Sequence, residues 1–471
     1  MKQKTIVVLI TVLLLLAVPV QLLCWGFLLP ECYDTSFLGE LKYKVRLLEQ
    51  TPGKRIVLVG GSSVAFGVDS GLLEDAFPEY RVVNFGMYAA LGTTVMLDLS
   101  QNRIREGDIV ILIPEQQEQA LSEFFDPAVM WQGVDGAFGL LSSLPTEKLG
   151  RMAGSFPAFA GQKCAYFLSG AAPQPEGVYC RDAFNEFGDV VSPLCARNVM
   201  PGGYDANTPV RFETDMVSDG FAERVNEYSA ALEEKGAAVW YGFCPMNEAA
   251  VEAGADVDGF CDALSRQLSC PLVGNPHDSI LLSGWFFDTN FHLNASGKIL
   301  YTRNLIGAIK AMLADSSPTE IGVPAMPEPE KAGLPAGNNE DAACFTYEIG
   351  ADSVTVTGPT AEGLTRQSLT VPTTYQNLPV TAIAPGAFAG AEKLEEITLQ
   401  TGIRAIGDGA FRGCGSLMRI ILESVVPSEC RVGQKLLEGT EANVYVPAET
   451  LSAYRTDYFW SIFGSRIRPA V

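Results

Sequence analysis

Arg55-Ile-Val-Leu-Val59, running straight into Gly60-Gly61-Ser62-Ser63-Val64-Ala65-Phe66-Gly67, decides how the longer part of this chain folds. A short apolar run without alternation reads as a strand covered on both faces, the pattern of a parallel sheet. The glycines that follow end the strand and bring two hydroxyls to its carboxyl end. Three more runs repeat the theme: Arg81-Val-Val-Asn84, Asp108-Ile-Val-Ile-Leu-Ile113 before Pro114, and Ala237-Ala-Val-Trp-Tyr-Gly-Phe243 before Cys244-Pro245. Helical patterns lie between them, for example over 71–77 and 221–235. Strands alternating with helices predict an α/β domain with a doubly wound parallel sheet of flavodoxin-like type. In such sheets the ligand site lies at the carboxyl ends of the strands, so the loops after Val59, Asn84 and Ile113 are the first places to seek chemistry.

A serine just after a strand and beside glycines exposes its hydroxyl while its backbone N–H turns into the cleft, as a hydrolase nucleophile requires. No Lys follows these glycines at phosphate-loop spacing. The chain has only two histidines, His277 and His292, so an imidazole base must be one of them. His292 stands in Asp288-Thr-Asn-Phe-His292-Leu-Asn-Ala-Ser-Gly297, just before a helix that Asn294 is placed to cap and whose apolar face is Ile299, Ile306, Ile309 and Leu313. A serine becomes a useful nucleophile when an imidazole takes its proton and a carboxylate fixes the imidazole tautomer; His292 and Asp288 have that pairing. The rival reading is a histidine that only hydrogen-bonds near a helix start.

Taken together these segments resemble the SGNH (GDSL-like) hydrolases over residues 54–313. Gly61-Ser62-Ser63 stands where that family has Gly-Asp-Ser, and Gly67 falls four residues after Ser63. Asn84-Phe-Gly86 resembles the second family block, and Asp288 with His292 the last. The resemblance implies Ser63 as nucleophile, His292 as base and Asp288 as its orienting acid. It also implies that the Gly86 N–H, with Asn84 nearby, serves the oxyanion, and that no cofactor or metal takes part. Two departures stand out. Thr289 occupies the usual place of the acid, three residues before the His, and Asp288 lies four before. The third block normally carries an Asn that donates to the oxyanion; here Pro114-Glu115-Gln116 follows the strand, and an ionised Glu115 has no hydrogen to donate. Glu115 is expected to line the same cleft. The variant pattern is similar to membrane-tethered members related to D-alanine transfer proteins and to polysaccharide O-acyl transferases or esterases. It implies an extracytoplasmic serine esterase or O-acyltransferase acting on ester-linked acyl groups of cell-envelope glycans. The alternative is a non-catalytic surface binding or adhesion protein with a degenerate domain, which the missing Asn favours.

The stretch 316–342, rich in Pro, Ala, Gly and Glu, reads as a linker. Beyond it Ile383-Ala-Pro-Gly-Ala-Phe-Ala-Gly recurs as Ile406-Gly-Asp-Gly-Ala-Phe-Arg-Gly, and Leu394, Ile397 and Leu399 recur as Leu417, Ile420 and Leu422, every pair 23 residues apart. Such a period predicts a solenoid in which each turn buries its face on the next, with Ile397-Thr-Leu399 and Ile420-Ile-Leu422 as short parallel strands and the flanks as caps. The repeat resembles the BspA-like leucine-rich repeat of bacterial surface antigens, which implies a protein or glycan partner for this module rather than chemistry. The expected organisation is therefore 1–30 membrane anchor or signal, 31–315 SGNH-like domain, 316–342 linker and 343–471 repeat module. On this reading the module folds apart from the site, because the implied catalytic residues all precede the linker.

Residues 5–30 carry no charged side chain, with Lys2 and Lys4 before them and Glu31, Asp34 and Glu40 after. About 20 apolar residues cross a bilayer, and the lysines keep the amino end inside, which predicts a single-pass membrane protein with extracytoplasmic domains; a secreted form is the alternative. A net charge of −22 over 471 residues sets nucleic acid aside as a partner. The eleven cysteines lack zinc-site spacing. An exported chain permits a Cys180–Cys195 disulfide, and reduced buried thiols are the other reading. Protease added to intact cells is expected to digest both folded regions while the mature amino terminus still starts at Met1 or Lys2. A new terminus beyond residue 25 would replace the anchor by a cleaved signal.

Overall fold

The computed structural model describes residues 17–170, 177–327, 339–350, 353–376, 378–423, 425, 427, 430–433, 435–457 and 459–470. Of the expected membrane segment 1–30, residues 1–16 lie outside the described residues and 17–28 are helical. Among the described residues no helix is long and apolar enough to cross a membrane.

Four parallel strands form the central sheet: β1 (Lys54–Gly60), β2 (Tyr80–Gly86), β3 (Ile109–Ile113) and β4 (Ala238–Tyr241), in the order β2-β1-β3-β4. They match the four apolar runs read from the sequence. All five residues of β3, and every residue of β1 after Lys54, are buried, as strands covered on both faces must be. The strand order reverses at β1, with β2 on one side and β3 on the other. That reversal places the loops after β1 and β3 side by side at the carboxyl edge.

The opposite edge is held by a buried ion pair. Arg55 at the start of β1 meets Asp108 just before β3, through its backbone N and its Nε, each 3.1 Å from Asp108 Oδ1, and through a close Nη2–Oδ2 contact. The same guanidinium donates to the carbonyls of Leu48 and Arg103, and Asp108 also accepts the Arg105 N–H. Both side chains are fully buried.

Helix Ala295–Met312 begins as the sequence predicts: the Asn294 side chain accepts the Gly297 N–H at 2.9 Å. Helix Thr146–Ser169 and helix Leu41–Gln50 were not among the helices read from the sequence. All eleven cysteines are free, Cys180 and Cys195 included.

The repeat module is a solenoid with two parallel stacks of strands. One stack runs Ser368–Val371, Glu396–Leu399, Arg419–Leu422, Asn443–Val446 and Ile467–Pro469. Ile397 pairs with Ile420 and Leu399 with Leu422, the 23-residue period written as hydrogen-bonded register. Phe388 stacks on Phe411 with ring centroids 5.3 Å apart. The flanks expected to be caps add strands of their own, including the antiparallel pair Phe345–Ile349 and Val354–Pro359. The second stack carries Val354–Pro359, Leu378–Ile383, Ala405–Ile406 and, at its edge, Arg431–Val432.

Replacing Arg55 by Met is expected to leave Asp108 buried without its cation and to cost about 3–5 kcal/mol, read as an early unfolding transition in urea. A loss below about 1 kcal/mol would mean that the pair does not clamp β1 to β3.

Candidate active site

Gly61 caps a short helix, Ser62–Gly67, that starts directly after β1. Its first residue, Ser62, sends its hydroxyl into the cleft at the carboxyl edge. Ser62 Oγ lies 2.8 Å from His292 Nε2. His292 Nδ1 lies 2.9 Å from Asp288 Oδ1. All three side chains are buried. The imidazole is fixed from three directions: its ring stacks on Phe66 with centroids 4.1 Å apart, its backbone N–H donates to Thr289 Oγ1 at 2.8 Å, and its carbonyl accepts from Phe287. Thr289, which stands where the resembled family has its acid, thus shapes the turn, while Asp288 reaches the ring.

Ser63, the serine that the family alignment selects, is not the one that meets the histidine. One step further along a helix turns a side chain by about 100°, and this carries Ser63 away from the cleft. Its Oγ is fully enclosed and has no hydrogen-bond partner. The serine that meets His292 is Ser62.

The oxyanion expectations are corrected as well. The Gly86 N–H is taken by Asn84 Oδ1 at 3.0 Å. The Asn84 amide donates to Val64 O at 3.0 Å and to Asp189 Oδ1 at 2.8 Å. Both groups are therefore engaged: the Gly86 N–H within β2, and the Asn84 amide with the Ser62–Gly67 helix through Val64 and with Asp189. What Gly86 provides is space, since a β-carbon there would stand 2.6 Å from Val64 Cβ. Gln116 is also engaged elsewhere, donating to Cys244 Sγ and to Arg211 O.

Glu115 does line the cleft. Its Oε1 accepts the Ser62 hydroxyl at 2.9 Å and the Ser63 N–H at 3.0 Å. The N–H that would receive an oxyanion thus faces a carboxylate oxygen.

Two residues not read from the sequence complete the relay. The Tyr179 hydroxyl donates to Asp288 Oδ2 and lies 3.3 Å from His292 Nδ1. Burial, reinforced by Asp288, raises the Tyr179 hydroxyl well above its ordinary value, which keeps it a donor. Arg431 arrives from the repeat module. Its Nη1 lies 3.2 Å from Asp205 Oδ2 and its Nη2 4.0 Å from Asp288 Oδ1. Burial disfavours the charged form of Asp288, but His292, Arg431 and Tyr179 outweigh it and hold the carboxyl below its ordinary value. The repeat module has a buried core of its own, and this contact brings its Arg431 to the edge of the site. His277 is at the surface, 3.0 Å from Asp258. Among the described residues no group of three His, Cys, Asp or Glu side chains converges as a metal site.

The cleft encloses about 460 Å³. Tyr88, Phe124 and Phe291 give it apolar surface, and Gln117, Asn207 and Asn290 give it amides.

No protein-family model matches the chain, and no curated protein matches it. Solved structures similar to part of it are bacterial leucine-rich repeat proteins. A leucine-rich cell surface protein from Faecalibacterium prausnitzii A2-165 is 22% identical over 21% of this chain and 28% of its own, with a TM-score of 0.19. A leucine-rich repeat protein of T. pallidum is 20% identical over 23% of this chain and 64% of its own, with a TM-score of 0.17. One from Bacteroides capillosus ATCC 29799 is 22% identical over 22% and 80%, with a TM-score of 0.20. The chain thus spans less than two thirds of the first two. Likeness at this level carries no argument, and the leucine-rich architecture stands on the 23-residue strand register.

Ser63→Ala removes a buried hydroxyl that has no partner, so its melting temperature is expected to equal or exceed that of the unsubstituted protein. A loss above about 1 kcal/mol would reveal a hydrogen bond to Ser63 Oγ.

Proposed function

We propose that the chain is an extracytoplasmic serine esterase or O-acyltransferase of the SGNH type, acting on ester-linked acyl groups of cell-envelope glycans. The observation that carries this reading is the unbroken relay Ser62–His292–Asp288 at the carboxyl ends of β1 and β3. Ser62 Oγ attacks the acyl carbonyl, His292 Nε2 takes the hydroxyl proton, and Asp288 stabilises the imidazolium that forms. Collapse of the tetrahedral adduct expels the sugar alkoxide, which recovers the proton from His292. Water or a second sugar hydroxyl then attacks the acyl-serine with His292 as base, which makes the enzyme a hydrolase or a transferase. Aromatic and amide side chains around the cleft suit a carbohydrate. The uncharged run 5–30 and the basic residues before it support a membrane-tethered protein facing outward, and the repeat module supports a place at the cell surface.

Glu115 favours a second reading, a non-catalytic surface protein that keeps the fold and binds a glycan. An ionised carboxylate beside the Ser63 N–H repels an oxyanion, whereas a neutral carboxyl or an amide donates to it. In an active enzyme Glu115 carries a proton or swings aside during acyl transfer.

A fluorophosphonate probe decides between the two readings. The purified protein is expected to be labelled at Ser62, Ser62→Ala to abolish labelling and Ser63→Ala to retain it. Glu115→Gln places an amide at the oxyanion position and is expected to raise the labelling rate about tenfold or more. Absence of labelling in both the unsubstituted protein and Glu115→Gln would sink the enzyme reading and leave the binder.

A further inference from the structure

The cleft before Ser62 is not closed by its own domain. Arg431, Phe459 and Ile462 of the repeat module line the same space as Ser62, Glu115 and His292. Arg431 belongs to the strand Arg431–Val432 at the edge of one solenoid stack, where the ladder ends and a side chain is free to reach outward. Its guanidinium carbon lies 5.3 Å from the centre of the Phe459 ring. Nη1 is committed to Asp205, and Nη2 is buried without a hydrogen bond among the described residues, 4.0 Å from the carboxylate that orients His292.

Enclosing a guanidinium with an unsatisfied N–H costs free energy unless nearby anions repay it. A module that served only as a spacer or an adhesin has no reason to bring a cation to this point. A triad does have a use for one. When His292 takes the Ser62 proton, Asp288 must be ionised and aimed at Nδ1, and a fixed cation behind that carboxylate helps to keep it so.

We propose that the repeat module completes the catalytic cleft and that Arg431 is a positioning residue for Asp288. This rests on the reading of Ser62, His292 and Asp288 as a catalytic triad. It makes the site a product of two modules joined across 226 residues of sequence, from Asp205 to Arg431. The chemistry remains in the first domain, and the second sets the charge and the outer wall that the chemistry meets.

The two histidines make a direct test available. His292 is buried in the site and His277 is on the surface, so histidine-labelled full-length protein gives one reporting imidazole and one internal control. Asp288 is faced by His292, Tyr179, Arg431, Cys195 and Asp457. Of these, Arg431→Ala removes the only permanent cation. Loss of a cation favours the imidazolium, so the His292 titration midpoint is expected to rise by about half a unit or more, while His277 does not move. Arg431→Lys keeps the charge and is expected to keep the midpoint. Asp205→Asn removes the Nη1 partner but leaves the cation, and is expected to move the midpoint far less than Arg431→Ala. Fluorophosphonate labelling of Arg431→Ala is expected to slow about tenfold at neutral pH and to recover in Arg431→Lys. An unchanged His292 midpoint in a folded Arg431→Ala would overturn the proposal, and so would equal shifts in the Ala and Lys variants, which would mean packing rather than charge. If the unsubstituted protein is not labelled but the midpoint shifts as expected, the esterase reading fails while the coupling between the modules stands.

Discussion

A β-carbon at Gly60 would stand 2.2 Å from the carbonyl oxygen of Ile113, and one at Gly61 would stand 2.8 Å from Glu115 Oε1. The carboxyl ends of β1 and β3 therefore approach so closely that Gly60 cannot carry a side chain, and one at Gly61 would push the Glu115 carboxylate aside. Everything in the site follows from that approach. It lets the Ser62–Gly67 helix start immediately after the strand, it sets Glu115 against the first turn of the helix, and it leaves Ser62 directed across the cleft toward His292. The Arg55–Asp108 pair closes the other ends of the same two strands, so β1 and β3 are pinned at both edges and the position of Ser62 is inherited from the sheet.

The two short contacts of Ser62 Oγ constrain its hydrogen. Ser62 has one hydrogen, yet its oxygen is 2.8 Å from His292 Nε2 and 2.9 Å from Glu115 Oε1. If Ser62 donates to Glu115, then Nε2 must itself carry a hydrogen, and with Nδ1–H facing Asp288 the ring is an imidazolium. If Ser62 donates to Nε2, the hydrogen between the two oxygens must come from Glu115. Both arrangements contain the same number of protons and differ only by moving one from His292 to Glu115 through Ser62. Ser62 Oγ thus stands between two groups, His292 Nε2 and Glu115 Oε1, that compete for its single hydrogen.

The four strands of the sheet were legible because each is an unbroken apolar run ended by Gly, Asn-Phe-Gly or Pro, and the solenoid because its period is uninterrupted through 23 residues. His292 and Asp288 were legible from the scarcity of histidine and from the helix that Asn294 caps. Which serine serves was not, because Ser62 and Ser63 differ by one helical step and the family spacing to Gly67 points to the second. Gly86 and Asn84 are read as oxyanion groups from their place at the end of the second apolar run, whereas their hydrogen bonds go to each other, to Val64 and to Asp189. Tyr179 lies in a polar segment whose fold has no periodic signal. Arg431 is beyond any local pattern, since only the docking of the two modules brings it to Asp288.

That docking changes what a short solenoid is for. Repeat arrays gain stability from each interface between neighbouring turns, and an array with two recognisable copies has few of them. Here the edge strand that would end the array against water instead presents Arg431 to Asp205 and Asp288, so the terminal surface has a partner in the same chain. The arrangement carries a cost, because a guanidinium is withdrawn from solvent and one of its N–H groups is left without an acceptor. An apolar residue of similar volume is often more stabilising at a buried ionic position. A charge kept in so unfavourable a place, 4.0 Å from the carboxylate that governs the histidine, is more economically explained by what it does to that carboxylate than by what it does for the fold.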